Sequence, residues 1–227
     1  MQRILILGGG HIGLNAAQKL RRRRTDNEIT VVDISADVAD QFRGLGVHLI
    51  QGDAISYLSN NINAESASPE WIVPAIPHHV AFEWFYKNLQ GSLALTVKPI
   101  PKAIQSMLPN FMLGNDQQVF ISNADFLCPD NCDEYERLCT YTRKPRPRNL
   151  NDYLAQLQFE SYLSIVLYSH QLAPGVGGFT PQMLFNLRSQ LNNYEGNYLL
   201  STACKCHGVM HAFRLETKSD LKMAPSI

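Results

Sequence analysis

The sequence predicts an α/β fold: a Rossmann-like, doubly wound and mostly parallel sheet, joined to a cysteine-bearing C-terminal lobe that ends in a β-hairpin. Three observations support the sheet. An apolar run at residues 4–7 leads into a glycine-rich turn at residues 8–13, Val31-Val32-Asp33 ends a second apolar run, and helix and strand patterns then alternate. Such alternation is typical of parallel strands joined by right-handed helical crossovers.

The glycine-rich turn has the spacing of a dinucleotide-binding motif. Gly8 is predicted to make the tight turn, Gly10 to let the backbone approach a pyrophosphate, and Gly13 to let the helix pack closely on the strand. His11 and Ile12 then lie at the start of the helix, where free N–H groups and the helix dipole favour phosphate. These five residues are candidate cofactor-binding residues.

Asp33 indicates which dinucleotide to expect. It ends the second predicted strand, where a carboxylate accepts hydrogen bonds from a ribose 2′-hydroxyl and repels a 2′-phosphate. We therefore expect NAD and favour it over NADP. The alternative is a Rossmann-shaped domain whose site is only structural or takes another nucleotide.

The other elements of this half follow from the spacing of apolar residues, which repeats every three to four positions in helices and runs continuously in buried strands. The predicted elements are a helix at 12–23, a strand at 29–33, a short helix at 37–45, a strand at 47–50, a helix at 55–62, a polar loop at 63–70, a strand at 71–76 and a helix at 79–89.

Residues 46–54, Gly-Val-His-Leu-Ile-Gln-Gly-Asp-Ala, follow the glycine turn and Val31-Val32-Asp33 in a characteristic order. With this order of motifs, the first ~80 residues resemble the TrkA-N family of NAD-binding domains, which are regulatory Rossmann units of potassium uptake systems. The resemblance implies NAD as cofactor and places Asp53 beside the adenine end of the nucleotide. It does not extend to the remainder of the chain.

Two domains are expected, a dinucleotide-binding domain at residues 1–122 and a C-terminal lobe at residues 123–227 packed on it. The first would include fifth and sixth strands of the parallel sheet. The elements predicted after residue 90 are strands at 93–97 and 119–121, a long helix at 150–172, a helix beginning at Thr180-Pro181, strands at 197–203 and 209–216 that form a hairpin, and a loose tail from residue 217.

His78 and Asp125 are the candidate catalytic residues. They follow the predicted fourth and sixth strands, and ligands of open parallel sheets bind at the carboxyl ends of the strands. A histidine there can transfer a proton alongside a hydride, because its ordinary pKa lies near neutrality. The alternative is that a histidine at a helix start only caps the helix.

The cysteines all lie in the second half of the sequence and suggest a metal site. Thiolates and imidazole are the ligands of zinc and of iron–sulfur clusters, although the spacing here matches neither a zinc finger nor a common ferredoxin. The alternative is that the thiols are small buried groups or an incidental redox pair. The candidate ligands are Cys128, Cys132, Cys139, Cys204, Cys206 and His207.

Composition argues against several classes of partner. The sequence has 20 basic and 20 acidic residues and a net charge of +0, so we expect no binding to nucleic acid. No apolar segment approaches the ~20 residues of a membrane helix, and no secretory signal is evident, so we expect a cytoplasmic protein. Arg21–Arg24 are expected to be a solvated helix end. Self-association is left open.

Three functions remain open on these grounds. The first is an NAD-dependent oxidoreductase that acts on an unknown small molecule and carries a zinc or iron–sulfur site in its C-terminal lobe. The second is a nucleotide-sensing module of TrkA-N type, in which NAD shifts a conformational or oligomeric equilibrium without turnover. The third is a dehydrogenase or chelatase of tetrapyrrole assembly, which only the general architecture supports.

Overall fold

The structure, a computed structural model, describes residues 1–62, 69–89, 91–133, 138–159, 161–192 and 194–218. Most of the loop predicted at 63–70 and most of the tail predicted from residue 217 lie outside the described residues. No helix in the described ranges is long and apolar enough to cross a membrane.

The chain folds as two compact units that interleave along the sequence. The first unit contains residues 1–80, 128–145 and 169–185, and the second contains residues 81–127 and 146–168 together with the chain from Asn186 onward. This division differs from the single boundary after residue 122 that the sequence predicted. One of the boundaries between the units lies between Phe185 and Asn186, within the helix Pro181–Leu191.

The elements of the first unit begin with alternating strands and helices. They are β1 (Arg3–Leu7), α1 (His11–Arg23), β2 (Glu28–Asp33), a 3-10 helix (Ala36–Phe42), β3 (His48–Gln51), α2 (Ala54–Asn61) and β4 (Trp71–Pro74). In the described residues the sheet has the order β3-β2-β1-β4, and each adjacent pair is parallel. The first unit therefore contains the Rossmann-like parallel sheet that the sequence predicted.

The core of the first unit lies between this sheet and α1. Buried side chains of β1 and β2 pack against one face of the helix, which carries Gly13, Ala16, Ala17 and Leu20. Strands that are buried on both faces have continuous apolar sequences, and β1 reads Arg-Ile-Leu-Ile-Leu. The helical period and the apolar run thus together position the glycine turn between β1 and α1.

Arg21 has a structural role, although the sequence predicted only a solvated side chain at this helix end. Its guanidinium donates to the carbonyl oxygens of Leu45 (3.0 Å), Thr25 (2.7 Å), Asn27 (2.7 Å) and Gly46. It thereby joins the C-terminal end of α1 to the turns before β2 and β3. For Arg21 the prediction of a merely solvated side chain is wrong.

The second unit is built on a mixed sheet. Its elements are α3 (Val80–Lys87), β5 (Leu93–Lys98), α4 (Lys102–Gln105), β6 (Met112–Leu113), a 3-10 helix (Asn115–Gln117), β7 (Val119–Ser122), α5 (Leu150–Ala155), β8 (Tyr162–Tyr168), α6 (Pro181–Leu191), β11 (Gly196–Ala203) and β12 (His207–Thr217). Strands β9 (His170–Ala173) and β10 (Val176–Gly178) form an antiparallel hairpin in the first unit.

Strand β12 is the centre of the second sheet. Its first part pairs with β7 and its last part with β5, both antiparallel, while β11 lies along its other edge as the predicted hairpin partner. Strand β8 then pairs with β11 in parallel. The prediction that β5 and β7 are the fifth and sixth strands of the Rossmann sheet is therefore wrong, because both strands pair with β12 in the second sheet.

The prediction of a long helix over residues 150–172 is also wrong. The helix ends at Ala155, and residues 162–168 form β8 instead. Residues 162–168 read Tyr-Leu-Ser-Ile-Val-Leu-Tyr, which is rich in the aromatic and β-branched residues that favour strands. Pairing with β11 along seven residues outweighs the weak helical spacing of the same segment.

Candidate functional site

Steric fit explains two of the glycines in the turn between β1 and α1. Gly8 has φ +108°, and a Cβ atom there would lie 2.5 Å from the carbonyl oxygen of Ala75. A Cβ atom on Gly13 would lie 1.9 Å from the carbonyl oxygen of Gly8. Both contacts are too short for any side chain, so the tight turn and the close approach of α1 require glycine at these positions.

Gly10 differs from Gly8 and Gly13, because it has open space beside it. A Cβ atom on Gly10 would meet no described atom within 4 Å. Gly10 is the N-cap residue of α1, and within the described chain no side chain caps this end and no acid occupies the first turn. His11 and Ile12 are exposed. The start of α1 can therefore receive an anion on its backbone N–H groups.

Asp33 lies at the end of β2 and is held against the glycine turn. Its Oδ2 atom accepts a hydrogen bond from the Gly9 N–H at 2.6 Å, and its Oδ1 atom accepts one from the Ser35 N–H at 2.8 Å. A carboxylate has about four acceptor positions, so two hydrogen bonds leave capacity for hydroxyl donors. The half-buried carboxylate is thus fixed in orientation while still able to bind a ligand.

Asp53 has a local structural function in the first unit. It is the N-cap residue of α2, and its Oδ1 atom accepts the Ser56 N–H at 2.7 Å. The side chain is exposed, so its predicted contact with the adenine end of a nucleotide stays a prediction. Ile34, which directly follows Asp33, is 75% exposed and presents apolar surface at the same end of the sheet.

The two candidate catalytic residues belong to different units. His78 is exposed and follows β4, in the segment after Ala75 and Ile76 that packs against Gly8. Asp125 is exposed and follows β7 of the second sheet. The strand-end argument that assigned Asp125 to the Rossmann site therefore no longer applies to it. The catalytic role of His78 stays a prediction.

The described residues give no support for the predicted metal site. Cys128, Cys132 and Cys139 belong to the first unit, whereas Cys204, Cys206 and His207 belong to the second. Among the described residues, which include all six, no group of three or more His, Cys, Asp or Glu side chains could hold a metal ion. Hydrogen bonds occupy several of the thiols instead: the Cys132 thiol donates to Thr140, and Cys139 Sγ accepts from the Thr142 N–H.

Sequence reasoning missed the contacts of Asp130 beside α1. Its carboxylate accepts a hydrogen bond from Asn15 Nδ2 at 3.2 Å, and its backbone carbonyl accepts one from Lys19 Nζ. Lys19 Nζ also donates to Pro174 O at 3.1 Å. These residues are separated by more than a hundred positions in the sequence, so no local pattern indicates that they meet.

A second missed contact involves Arg146 in the second unit. Its Nε donates to the sulfur of Cys206 at 2.9 Å. The sequence shows Arg146 only as part of a basic, proline-broken run at residues 143–148, and it shows Cys206 only as half of a Cys-x-Cys pair. The contact depends on the packing of a loop against the β11–β12 turn, which spacing alone does not predict.

Two known families match different parts of the chain. Residues 4–68 match the TrkA-N domain. The N-terminal region is therefore a Rossmann-like domain of a nucleotide-binding type, as the resemblance implied. A protein of Archaeoglobus fulgidus, described only as an uncharacterized protein, is 26% identical over an aligned length of 227; the alignment covers 92% of this chain and 98% of the relative.

The remainder of the chain matches a second family. Residues 81–216 match AF_1314_C, whose description is "Uncharacterized protein, C-terminal domain". The match begins where the first segment of the Rossmann-like unit ends, and it includes the described strands of the second sheet except the last residue of β12. This match covers more than half of the chain, so the chain belongs to the AF_1314_C family.

Proposed function

We propose that the protein is an NAD-sensing module, in which the glycine turn and Asp33 bind the adenosine and pyrophosphate part of NAD. The observation that carries the proposal is the combination of steric need at Gly8 and Gly13 with open space at Gly10. If the glycines only shaped the turn, the start of α1 at Gly10 would not need to be open and without a side-chain cap.

Different residues of the first unit would bind the pyrophosphate, the ribose and the adenine of NAD. The N–H groups at the start of α1 would hold the pyrophosphate, and the Asp33 carboxylate would accept hydrogen bonds from the ribose hydroxyls. Ile34 would supply apolar surface for the adenine ring. A 2′-phosphate would bring negative charge to Asp33, which favours NAD over NADP.

Sensing is favoured over turnover because, of the two candidate catalytic residues, only His78 follows a strand of this sheet, whereas Asp125 follows β7 of the second sheet. Strands β5 and β7, which were expected to extend the sheet toward a nicotinamide site, pair with β12 instead. NAD binding would then act by changing the conformational or oligomeric equilibrium of the chain.

Calorimetric titration of the full chain with NAD and with ADP-ribose tests this proposal. If the site holds mainly the adenosine and pyrophosphate part, ADP-ribose will bind within a few-fold of NAD. Hydrogen exchange with and without NAD then tests sensing, and we expect changes in the second unit as well as protection at residues 8–13. Absence of binding to either ligand, by calorimetry and by equilibrium dialysis, would overturn the proposal.

An NAD-dependent oxidoreductase is the second candidate, and exposed His78 is the observation that favours it. When bound, NAD+ would accept a hydride or NADH would donate one, and His78 would move the accompanying proton to or from the substrate oxygen. The test is the absorbance of NADH in the presence of a panel of small aldehydes and ketones. Turnover that His78→Asn abolishes, with NAD affinity unchanged, would favour this candidate over sensing.

A further inference from the structure

The turn between β11 and β12 brings two cysteines and a guanidinium together in the second unit. Cys204 and Cys206 flank Lys205 at the tip of the hairpin, and neither is in a disulfide. Both are partly exposed. The guanidinium of Arg146 reaches this tip from a segment about sixty residues earlier in the chain.

The turn is held by hydrogen bonds at three successive carbonyl groups. The carbonyl oxygen of Cys204 accepts from the Asn151 N–H at 3.2 Å, that of Lys205 from the Leu150 N–H at 2.9 Å, and that of Cys206 from the Asn123 N–H at 2.8 Å. The N–H of Cys204 donates across the turn to the carbonyl oxygen of His207 at 2.9 Å. The two thiols therefore project from a fixed backbone.

The surroundings of both sulfur atoms favour negative charge. Arg146 Nε donates to Cys206 Sγ at 2.9 Å, so a permanent positive charge lies in direct contact with this sulfur. The sulfur of Cys204 accepts from the N–H groups of Cys206 (3.5 Å) and His207 (3.4 Å). A neighbouring cation and hydrogen-bond donors stabilise a thiolate over a thiol, and partial exposure lets a reactant reach it.

Both thiols belong to the same short turn. Cys204 Sγ accepts a hydrogen bond from the backbone N–H of Cys206 at 3.5 Å, so the Cys204 thiol lies beside the backbone of Cys206. One residue, Lys205, separates the two cysteines in the sequence. An internal disulfide would therefore close across this single residue.

From this arrangement we propose that Cys204 and Cys206 form a redox-active dithiol that reduces low-molecular-weight disulfides, with Cys206 as the attacking thiolate and Arg146 as the residue that stabilises it. Cys206 attacks one sulfur of the small disulfide, the disulfide bond breaks, and one thiol leaves with a proton from water. Cys204 then loses its proton to solvent and attacks Cys206, and the second thiol leaves. The cysteine pair loses two electrons and two protons, which the small disulfide gains.

Oxidised glutathione is the probe that tests this proposal on the reduced, full-length protein. Samples are alkylated at intervals and cleaved at glutamate, which releases residues 196–216 as a peptide containing Cys204 and Cys206 and no other cysteine. We expect this peptide to become internally disulfide-bonded at least about tenfold faster than Cys132 acquires glutathione, since Cys132 contacts only a neutral hydroxyl and a carbonyl in the described structure.

Variants separate the roles of the three residues. Cys204→Ser should stop the reaction at a stable glutathione adduct on Cys206, and Arg146→Gln should slow the first step roughly tenfold while Arg146→Lys retains most of the rate. The proposal is overturned if Cys204 and Cys206 in the wild-type protein react no faster than Cys132, or if they form glutathione adducts without the internal disulfide. This wild-type comparison needs no variant to fold.

Discussion

The backbone N–H of Gly9 donates to Asp33 Oδ2 at 2.6 Å and so joins the glycine turn to the end of β2. One carboxylate therefore organises the turn, and in the proposed function the same group accepts hydrogen bonds from the ribose. The three glycines around this contact have different physical roles, which makes stability and ligand binding separable by substitution.

Gly13→Ala should mainly lower the stability of the protein, whereas Gly10→Ala should mainly weaken the binding of NAD. The Cβ atom of Gly13→Ala would meet Gly8 O at 1.9 Å, so we expect a loss of about 2 kcal/mol or more in the free energy of unfolding. The Cβ atom of Gly10→Ala meets no described atom within 4 Å, but alanine is a poorer N-cap residue than glycine, so we expect a smaller loss of about 1 kcal/mol or less. This substitution should nevertheless weaken NAD binding, because the new methyl group occupies the space of the pyrophosphate.

Thermal unfolding and NAD titration of the two variants check this prediction. Wild-type stability in Gly13→Ala would show that the turn rearranges easily. Unchanged NAD affinity in Gly10→Ala would show that the open space beside the helix is not the ligand site.

Arg21→Ala should destabilise the first unit, because it removes the donors for four backbone carbonyls. We expect a loss of about 2 kcal/mol, in the range for hydrogen bonds from charged groups. Arg22 is exposed and next in the sequence, so Arg22→Ala is the matched control and should change stability little. Chemical denaturation of both variants measures the difference. Equal effects of the two substitutions would contradict the structural role of Arg21.

The second unit should lose stability in mild acid because of His211. Burial lowers the pKa of this side chain from 6.5 to about 4, and its ring stacks on Phe82 with centroids 3.9 Å apart. The unfolded chain binds a proton below pH 6.5 while the folded chain does not until about pH 4. Stability contributed by neutral His211 is therefore complete above pH 6.5 and falls by about 2 to 3 kcal/mol as the pH is lowered to 4.

His211→Gln removes this titration and retains an N–H donor for the carbonyl oxygen of Asp116, which His211 Nε2 contacts at 3.2 Å. Unfolding free energies of both proteins between pH 7 and pH 4 check the prediction. We expect a steeper decline for the wild-type protein. Parallel declines would place the acid sensitivity in other groups.

The sequence predicted the segment from β1 to β4 of the first unit well because its signals are local. Gly8, Gly13 and Asp33 act within one β-α-β segment, so their spacing already encodes the contacts that the structure shows. The TrkA-N match covers the same segment. The hairpin of β11 and β12 was predicted for a similar reason, since both strands adjoin one turn.

The errors concern residues whose environment is set by distant parts of the chain. Strands β5 and β7 have the apolar pattern of Rossmann strands, but their partner β12 lies about 90 to 115 residues later, and no local pattern identifies it. The contact of Cys206 with the guanidinium of Arg146 likewise joins segments about sixty residues apart, and spacing alone does not indicate it. The cysteines alone indicated a reactive site, but which chemistry the site favours depends on the residue that contacts the sulfur.

The affinity ratio of NAD to NADP in the wild-type protein and in Asp33→Ala tests the central claim most directly. Calorimetric titration should show a preference for NAD that falls by about 1 to 3 kcal/mol in Asp33→Ala, through weaker NAD binding and tolerance of the 2′-phosphate. Asp40→Ala, which removes an exposed carboxylate paired with Arg43, is the matched control and should leave the ratio unchanged. An unchanged ratio in Asp33→Ala would contradict the assignment of the ribose contact to Asp33.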